Sequence, residues 1–156
     1  MVLKIDKILY NILMSNKTVK TAPLLKRLKE RGWRITVQRR TVAEVLTGNN
    51  LHLTAEEVFR RAKEDIPEIS RATVYNILGD LVGMGEIGEL QFCTGSTLYD
   101  PNAPVPHHHM VCTQCGKIYD VQPKGINQLD LPKEVKHGFS IDRIEVVFRG
   151  QCSACS

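Results

Sequence analysis

Four cysteines in two short pairs set the strongest constraint on what this chain can fold into. In Cys112-x2-Cys115 and Cys152-x2-Cys155 two residues separate the members of each pair, so both thiolates can reach one ion from a tight knuckle. Four soft thiolates in a tetrahedron suit zinc, and a site with no open position is structural. Such a site ties the C-terminus to the middle of the chain and contributes folding free energy outright. A thioredoxin-like redox pair would need one pair in a βαβ setting, whereas both pairs here close strand patterns. Cys93, the fifth cysteine, reads as a buried residue of a hairpin, with an exposed low-pKa redox thiol as the alternative.

Clustered metal-binding cysteines point to a reducing compartment, and the cytosol is the expected location. The first fourteen residues are interrupted by Lys4, Asp6, Lys7 and Asn11 and lack a small-residue cleavage site, which argues against a secretory signal. No apolar run approaches about 18 residues, so no membrane partner is expected. At 156 residues, 42% of them apolar, one or two small cores can form. Charge is unevenly placed. Residues 1–99 carry fifteen Lys/Arg against eleven Asp/Glu, residues 100–156 six against six, and 17–40 nine bases against the single acid Glu30. A basic front half suggests an anionic partner there, a solvated charged face being the plainer alternative.

Apolar spacing predicts helices over residues 3–14, from near Thr21 to Gly32 with Pro23 in the first turn, and from Thr36 to Gly48. Thr54-Ala-Glu-Glu57 is a capping box that opens a helix ending before Pro67. Ser70 caps the next, through Val74, Ile77, Leu78 and Leu81, to Gly83 and Gly85. Two capped helices joined by about five residues form a helix-turn-helix pattern. Period-two residues on either side of a glycine turn, up to Tyr99, then read as a wing. Ser70, Arg71, Thr73, Tyr75 and Asn76 put hydrogen-bonding groups in the first turns of the second helix, the end that would enter a major groove. Three prolines between 101 and 106 make a stiff hinge.

Behind it follow a strand from His108 to Cys112, a knuckle, and a strand to Val121. A helix is expected around 126–135, interrupted by Pro132. A last strand pattern comprises Phe139, Ile141, Ile144, Val146 and Phe148. His107 and His109 share one strand face and can chelate one ion, while His108 points the other way. Asp100 and Asp120 are the nearest carboxylates, and His52 is the front half's only histidine. Imidazole and carboxylate together favour Fe(II), Mn(II) or Zn(II) at a second site. His137, beside Gly138, reads as a helix-terminal histidine.

Taken together, Arg34-Ile-Thr36-Val-Gln38-Arg39, His52-Leu-Thr54-Ala-Glu-Glu-Val, Ala72-Thr73-Val-Tyr75, His107-His-His109, Cys112-x2-Cys115-Gly and Gly150-Gln-Cys152-x2-Cys155 resemble the ferric uptake regulator (Fur) family of metal-dependent repressors. The resemblance covers about residues 21–156. It implies an α+β chain: an extension over 1–20, a winged-helix DNA-binding domain over 21–100, a hinge over 101–106, and an α/β dimerisation domain over 107–156. A homodimer on a palindromic double-stranded operator is implied too, with Zn(II) structural and Fe(II) or Mn(II) regulatory. Within the family the chain looks most like the peroxide-sensing branch, whose regulatory metal is held by three histidines and two aspartates. The matching residues are His52, Asp100, His107, His109 and Asp120. The resemblance further implies phosphate contacts from Arg34, Arg39, Arg40 and Arg71, and thymine contact from Tyr75. Val37 stands where the family usually has proline, and a third metal site, whose histidine would fall at about Ile144, looks absent.

Three rival functions remain at this point: an iron-uptake, zinc or manganese regulator of the same family; a zinc-ribbon adaptor that binds no DNA; and a zinc hydrolase. The last lacks an evident general base such as that of H-E-x-x-H, so no catalytic residue is assigned and the chain is not expected to be an enzyme.

Overall fold

A computed structural model describes residues 23–48, 51–92, 95–126, 129, 131–132, 134, 137–141 and 143–156. The helix expected over 3–14 and Cys93 lie outside the described residues. The chain divides into a front unit, Lys20–Val105, and a rear unit that contains Pro106–Ser156.

The front unit is built on four helices: α1 (Leu24–Glu30), α2 (Val37–Val45), α3 (Ala55–Asp65) and α4 (Arg71–Gly83). Helix α1 starts one residue after Pro23, whose ψ of 137° is still extended. The three later helices begin on side-chain caps, each satisfying an amide that the helix itself cannot. Thr36 accepts from the Arg39 amide and Ser70 from the Thr73 amide. Thr54 accepts from the Glu57 amide while the Glu57 carboxylate accepts from the Thr54 amide at 2.8 Å, completing the capping box. Ile66 precedes Pro67 and leaves the helical region, so α3 stops there.

In α3 the buried set is Ala55, Val58, Phe59 and Ala62; in α4 it is Val74, Ile77, Leu78 and Leu81. Both follow the i, i+3, i+4, i+7 rule of a one-faced helix. These stripes meet Leu24, Leu28, Val42, Leu46 and Ile69 in one core. Gly85, at φ +68°, lets α4 end in a Schellman turn, with Gly85 N–H donating to Val82 O and Glu86 N–H to Leu81 O. The turn delivers Glu86, only 2% exposed, between Arg27 Nε and Arg31 Nε at 2.7 Å each. Arg27 also donates to the Glu86 and Pro101 carbonyls.

Three short strands, β1 (Leu53–Thr54), β2 (Gly88–Leu90) and β3 (Leu98–Asp100), form the wing sheet in the order β1-β3-β2. Sequence periodicity predicts the hairpin but not β1, which is too short to show alternation and abuts a helix cap. Gly88 lies against this sheet's exit, where an added Cβ would stand 2.9 Å from Ala103 Cβ.

The rear unit holds β4 (His108–Cys112), β5 (Ile118–Val121) and β6 (Val147–Gly150) in the order β5-β4-β6, with β5 antiparallel and β6 parallel to β4. The last strand is shorter than its sequence pattern: Phe139, Ile141 and Ile144 precede it in irregular backbone. The helix expected around 126–135 falls partly outside the described residues, and those described there, among them Leu131 and Pro132, form no α-helix. Pro132 cannot donate to a helical ladder. His137 takes φ 45° before Gly138 in a turn. No helix among the described residues is long and apolar enough to cross a membrane.

Candidate functional site

Two metal-ligating clusters and one exposed basic surface carry the chemistry. The first cluster forms because β6 runs parallel to β4 in a register that sets Gly150 beside Cys112. That register brings the C-terminal knuckle onto the one between β4 and β5. The sulfurs of Cys112, Cys115, Cys152 and Cys155 all lie within 4.8 Å of one another, Cys115 and Cys152 at 3.8 Å. A tetrahedral ion at about 2.3 Å from each sulfur would put them roughly 3.8 Å apart. Gly116, at φ +72°, turns the first knuckle and donates to Cys112 O. Backbone amides of Cys115, Cys152 and Gln114 lower the Cys112 thiol to about 6. Hydrogen bonding to Cys152, then to Cys115, pushes Cys155 up to about 12. Four thiolates this close repel, and a dication is what lets all of them shed their protons. The donor set and spacing fit structural zinc.

The second cluster follows from the pairing of β4 with β5. His109 stands directly opposite Asp120, and His107 is two residues before His109 on the same face. His107 Nε2 lies 3.1 Å from His109 Nε2 and 3.8 Å from Asp120 Oδ1. Two imidazole nitrogens at that separation, each about 2.1 Å from one ion, would subtend roughly 95°, nearer an octahedral angle than a tetrahedral one. His109 is fully buried, and its other nitrogen, Nδ1, lies 3.4 Å from Glu145 Oε1. A carboxylate there favours the tautomer with the proton on Nδ1 and the lone pair on Nε2, the state a metal needs. His107, His109 and Asp120 thus form a His/Asp metal site. Glu145 has no signature in the sequence: 36 positions separate it from His109, and only the parallel pairing of β6 brings them together.

His108 faces away, as its place in the strand requires. Its Nδ1 accepts from the Val146 amide at 3.2 Å. Burial first, then the neighbouring His107, hold its pKa below the ordinary imidazole value, so it stays a neutral acceptor that seats the approach to β6.

In the front unit, β1 and β3 pair Leu53 with Tyr99, with His52 the residue before β1 and Asp100 the last of β3. Asp100 is 1% exposed and its Oδ1 accepts from the Asn102 amide at 2.7 Å. The buried stripe of α4 leaves Arg71, Tyr75 and Asn76 on its outer side, Tyr75 being 52% exposed. Arg34, Thr36, Arg39, Thr73 and Asn76 line a cleft of ≈ 380 Å³ at one flank of that side. Arg34 and Arg40 are exposed. Arg39 stacks on Trp33 at 4.2 Å and donates to Asp80 at 3.1 Å. Arg71 stacks on Phe59 at 4.6 Å and forms a two-toothed pair with Glu56. The sequence shows the bases, but not that carboxylates from other helices hold two of them.

Residues 30–149 match the ferric uptake regulator family. The peroxide-responsive repressor PerR of Staphylococcus aureus is 33% identical over 128 residues, which is 82% of this chain and 86% of that protein. Among solved structures, the Helicobacter pylori ferric uptake regulator, described as having three functional metal binding sites, superposes with a TM-score of 0.67 at 26% identity. The match covers 90% of this chain and 97% of that one. The Vibrio cholerae ferric uptake regulator gives 0.63 at 27% identity, over 81% and 98% of the two chains. With most of its length inside the family's span and both metal clusters assembled from its own strands, this chain belongs to the ferric uptake regulator family.

Proposed function

We propose that the protein is a metal-dependent, DNA-binding transcriptional repressor that senses peroxide through its regulatory metal. The observation that carries this reading is the His107, His109 and Asp120 group, whose nitrogen separation and carboxylate suit a hard, six-coordinate ion such as Fe(II) or Mn(II). His52 and Asp100 complete a set of three histidines and two aspartates, the composition of the peroxide-sensing branch. Similarity to PerR of S. aureus supports the same branch. Aspartate at both 100 and 120 speaks against the iron-uptake branch, where glutamate is more usual.

In this reading the ligands work as a population switch. A metal held by all five residues is bound only in the DNA-competent arrangement, so occupancy shifts the equilibrium toward it. Bound Fe(II) would lend peroxide one electron and regain it from the ring, so that one peroxide oxygen enters a ring C–H of His52 or His107 and the other leaves as water. The oxidised ring is a poorer donor, and the clamp opens. Mn(II) would support the same arrangement without that reaction, giving a less sensitive form. DNA contact falls to Arg34, Arg39, Arg40, Ser70, Arg71, Thr73, Tyr75 and Asn76 on a palindromic operator. The exposed Met110 and Phe148, register partners on β4 and β6, offer apolar surface to a second copy of the chain. The domain roles are accordingly a DNA-binding front over 21–100 and a dimerising rear over 107–156, with activity by binding rather than turnover.

The test is mass spectrometry of the Fe(II)-loaded and Mn(II)-loaded protein before and after peroxide, with DNA binding followed in parallel. One added oxygen on the His52 or His107 peptide, only with Fe(II) and together with release of DNA, is expected. Unmodified histidines with DNA binding intact would overturn peroxide sensing and leave an iron-uptake or manganese regulator. An absence of metal-dependent DNA binding, with zinc in place, would instead leave the adaptor.

A further inference from the structure

Arg71 opens α4, and Glu56 sits in the first turn of α3. Arg71 Nε donates to Glu56 Oε2 at 3.0 Å and Nη2 donates to Oε1 at 2.8 Å. The guanidinium carbon lies 4.6 Å from the centre of the Phe59 ring, and that ring belongs to the front core. The ring contact and the two-toothed carboxylate together restrain the guanidinium. Both side chains stay open to solvent, at 63% and 58% exposure.

A guanidinium has five N–H donors. Glu56 takes one on Nε and one on Nη2, leaving a fork of Nη1 and Nη2 donors on a side chain that is 63% exposed. That fork matches two oxygens of one phosphate. Arg39 repeats the arrangement beside the cleft shared with Thr73 and Asn76: a guanidinium on an aromatic ring, with the Asp80 carboxylate at its edge. The outer side of α4 also carries the exposed Ala72 and Gly79, small residues that permit close approach of a duplex.

We propose that Glu56 is a positioning residue for DNA recognition, holding Arg71 so that its open fork grips one backbone phosphate beside the groove that α4 enters. The inference rests on the DNA-binding reading above. It predicts a sign opposite to that of simple electrostatics. Removing a carboxylate from a DNA-facing surface should strengthen binding to a polyanion; removing one that pre-orders an arginine should weaken it, because the ordering cost then falls on association.

The experiment uses the full-length, Mn(II)-loaded protein and a duplex that the wild type selects from a random pool, with affinities measured at several salt concentrations. Glu56→Gln should weaken binding roughly two- to tenfold, the range expected for immobilising one long side chain. Arg71→Ala should weaken it and lower the slope of log affinity against log salt by about one. In the double variant, Glu56→Gln should add nothing to Arg71→Ala. A Glu56→Gln protein that binds as tightly as the wild type, or more tightly, overturns the proposal, leaving Glu56 a mere counter-charge. So does an undiminished effect of Glu56→Gln in the Arg71→Ala background, which would assign it to the α3 terminus. A wild type that retains no duplex overturns the DNA-binding reading, and this inference with it.

Discussion

Replacing Cys112 by serine should unfold the rear unit and leave the front unit standing. Among the described residues, the buried apolar side chains of the rear unit are Val111, Ile118 and Cys112 itself. At about 1.5–3 kcal/mol for each aliphatic side chain, Val111 and Ile118 contribute roughly 3–6 kcal/mol. A structural zinc site contributes on the order of 10–16 kcal/mol, several times as much, and it closes strands that have little core of their own. Cys112→Ser removes one thiolate from the tetrahedron and also the sulfur that accepts from the Cys152 amide at 3.4 Å. The front unit has an independent core that includes Leu28, Val42, Val58, Val74, Leu78 and Leu81, all essentially inaccessible to solvent. Trp33, the single tryptophan, packs against that core, so its fluorescence reports the front unit alone. Trypsin cleavage after Lys117 and Arg149 reports the rear. The variant should hold no zinc, keep a cooperative Trp33 unfolding transition and be cut rapidly at both rear sites. A zinc-free Cys112→Ser protein whose Lys117 and Arg149 stay protected would refute the primacy of zinc in this unit.

Other consequences are checked as directly. Glu145→Gln removes the carboxylate facing His109 Nδ1, and calorimetric Mn(II) affinity should fall about 10- to 100-fold while zinc content is unchanged. Glu86→Ala takes the shared carboxylate from Arg27 and Arg31, and denaturant unfolding of the front unit should show a loss of about 3–5 kcal/mol; a change under about 1 kcal/mol would show that the carbonyl partners of Arg27 suffice. Gly88→Ala drives a methyl to 2.9 Å from Ala103 Cβ and should cost about 1–3 kcal/mol; adding Ala103→Gly should restore most of it if the clash is the cause.

Much of the local structure is legible in the residues themselves, because caps and stripes act over three or four positions. Thr54 with Glu57, Ser70 with Thr73, and the spacing of Val74, Ile77, Leu78 and Leu81 carry their helices without reference to anything distant. The four cysteines and the strand pair His107 and His109 likewise announce ligands by type and spacing. The wing is legible from the period-two residues before Tyr99, and the α+β class from the family resemblance.

Tertiary structure decides what depends on register and on distant partners. The parallel pairing of β6 with β4 stacks one cysteine knuckle on the other and carries Glu145 to His109; no spacing rule spans the intervening chain. The antiparallel register of β5 chooses Asp120 as the carboxylate opposite His109. The Schellman turn at Gly85 buries Glu86 between two arginines that read, in the sequence, as part of a basic surface. Arg39 and Arg71 look equally free there, yet Asp80 and Glu56 hold them, because helix packing and not chain order sets which charges meet. Sequence by itself therefore determined the four helices of the front unit, the zinc ligands and the chemical kind of the second site. Packing decided which carboxylates orient the ligands and hold the arginines of α2 and α4, since an ion pair or an oriented imidazole exists only at a distance that the fold imposes.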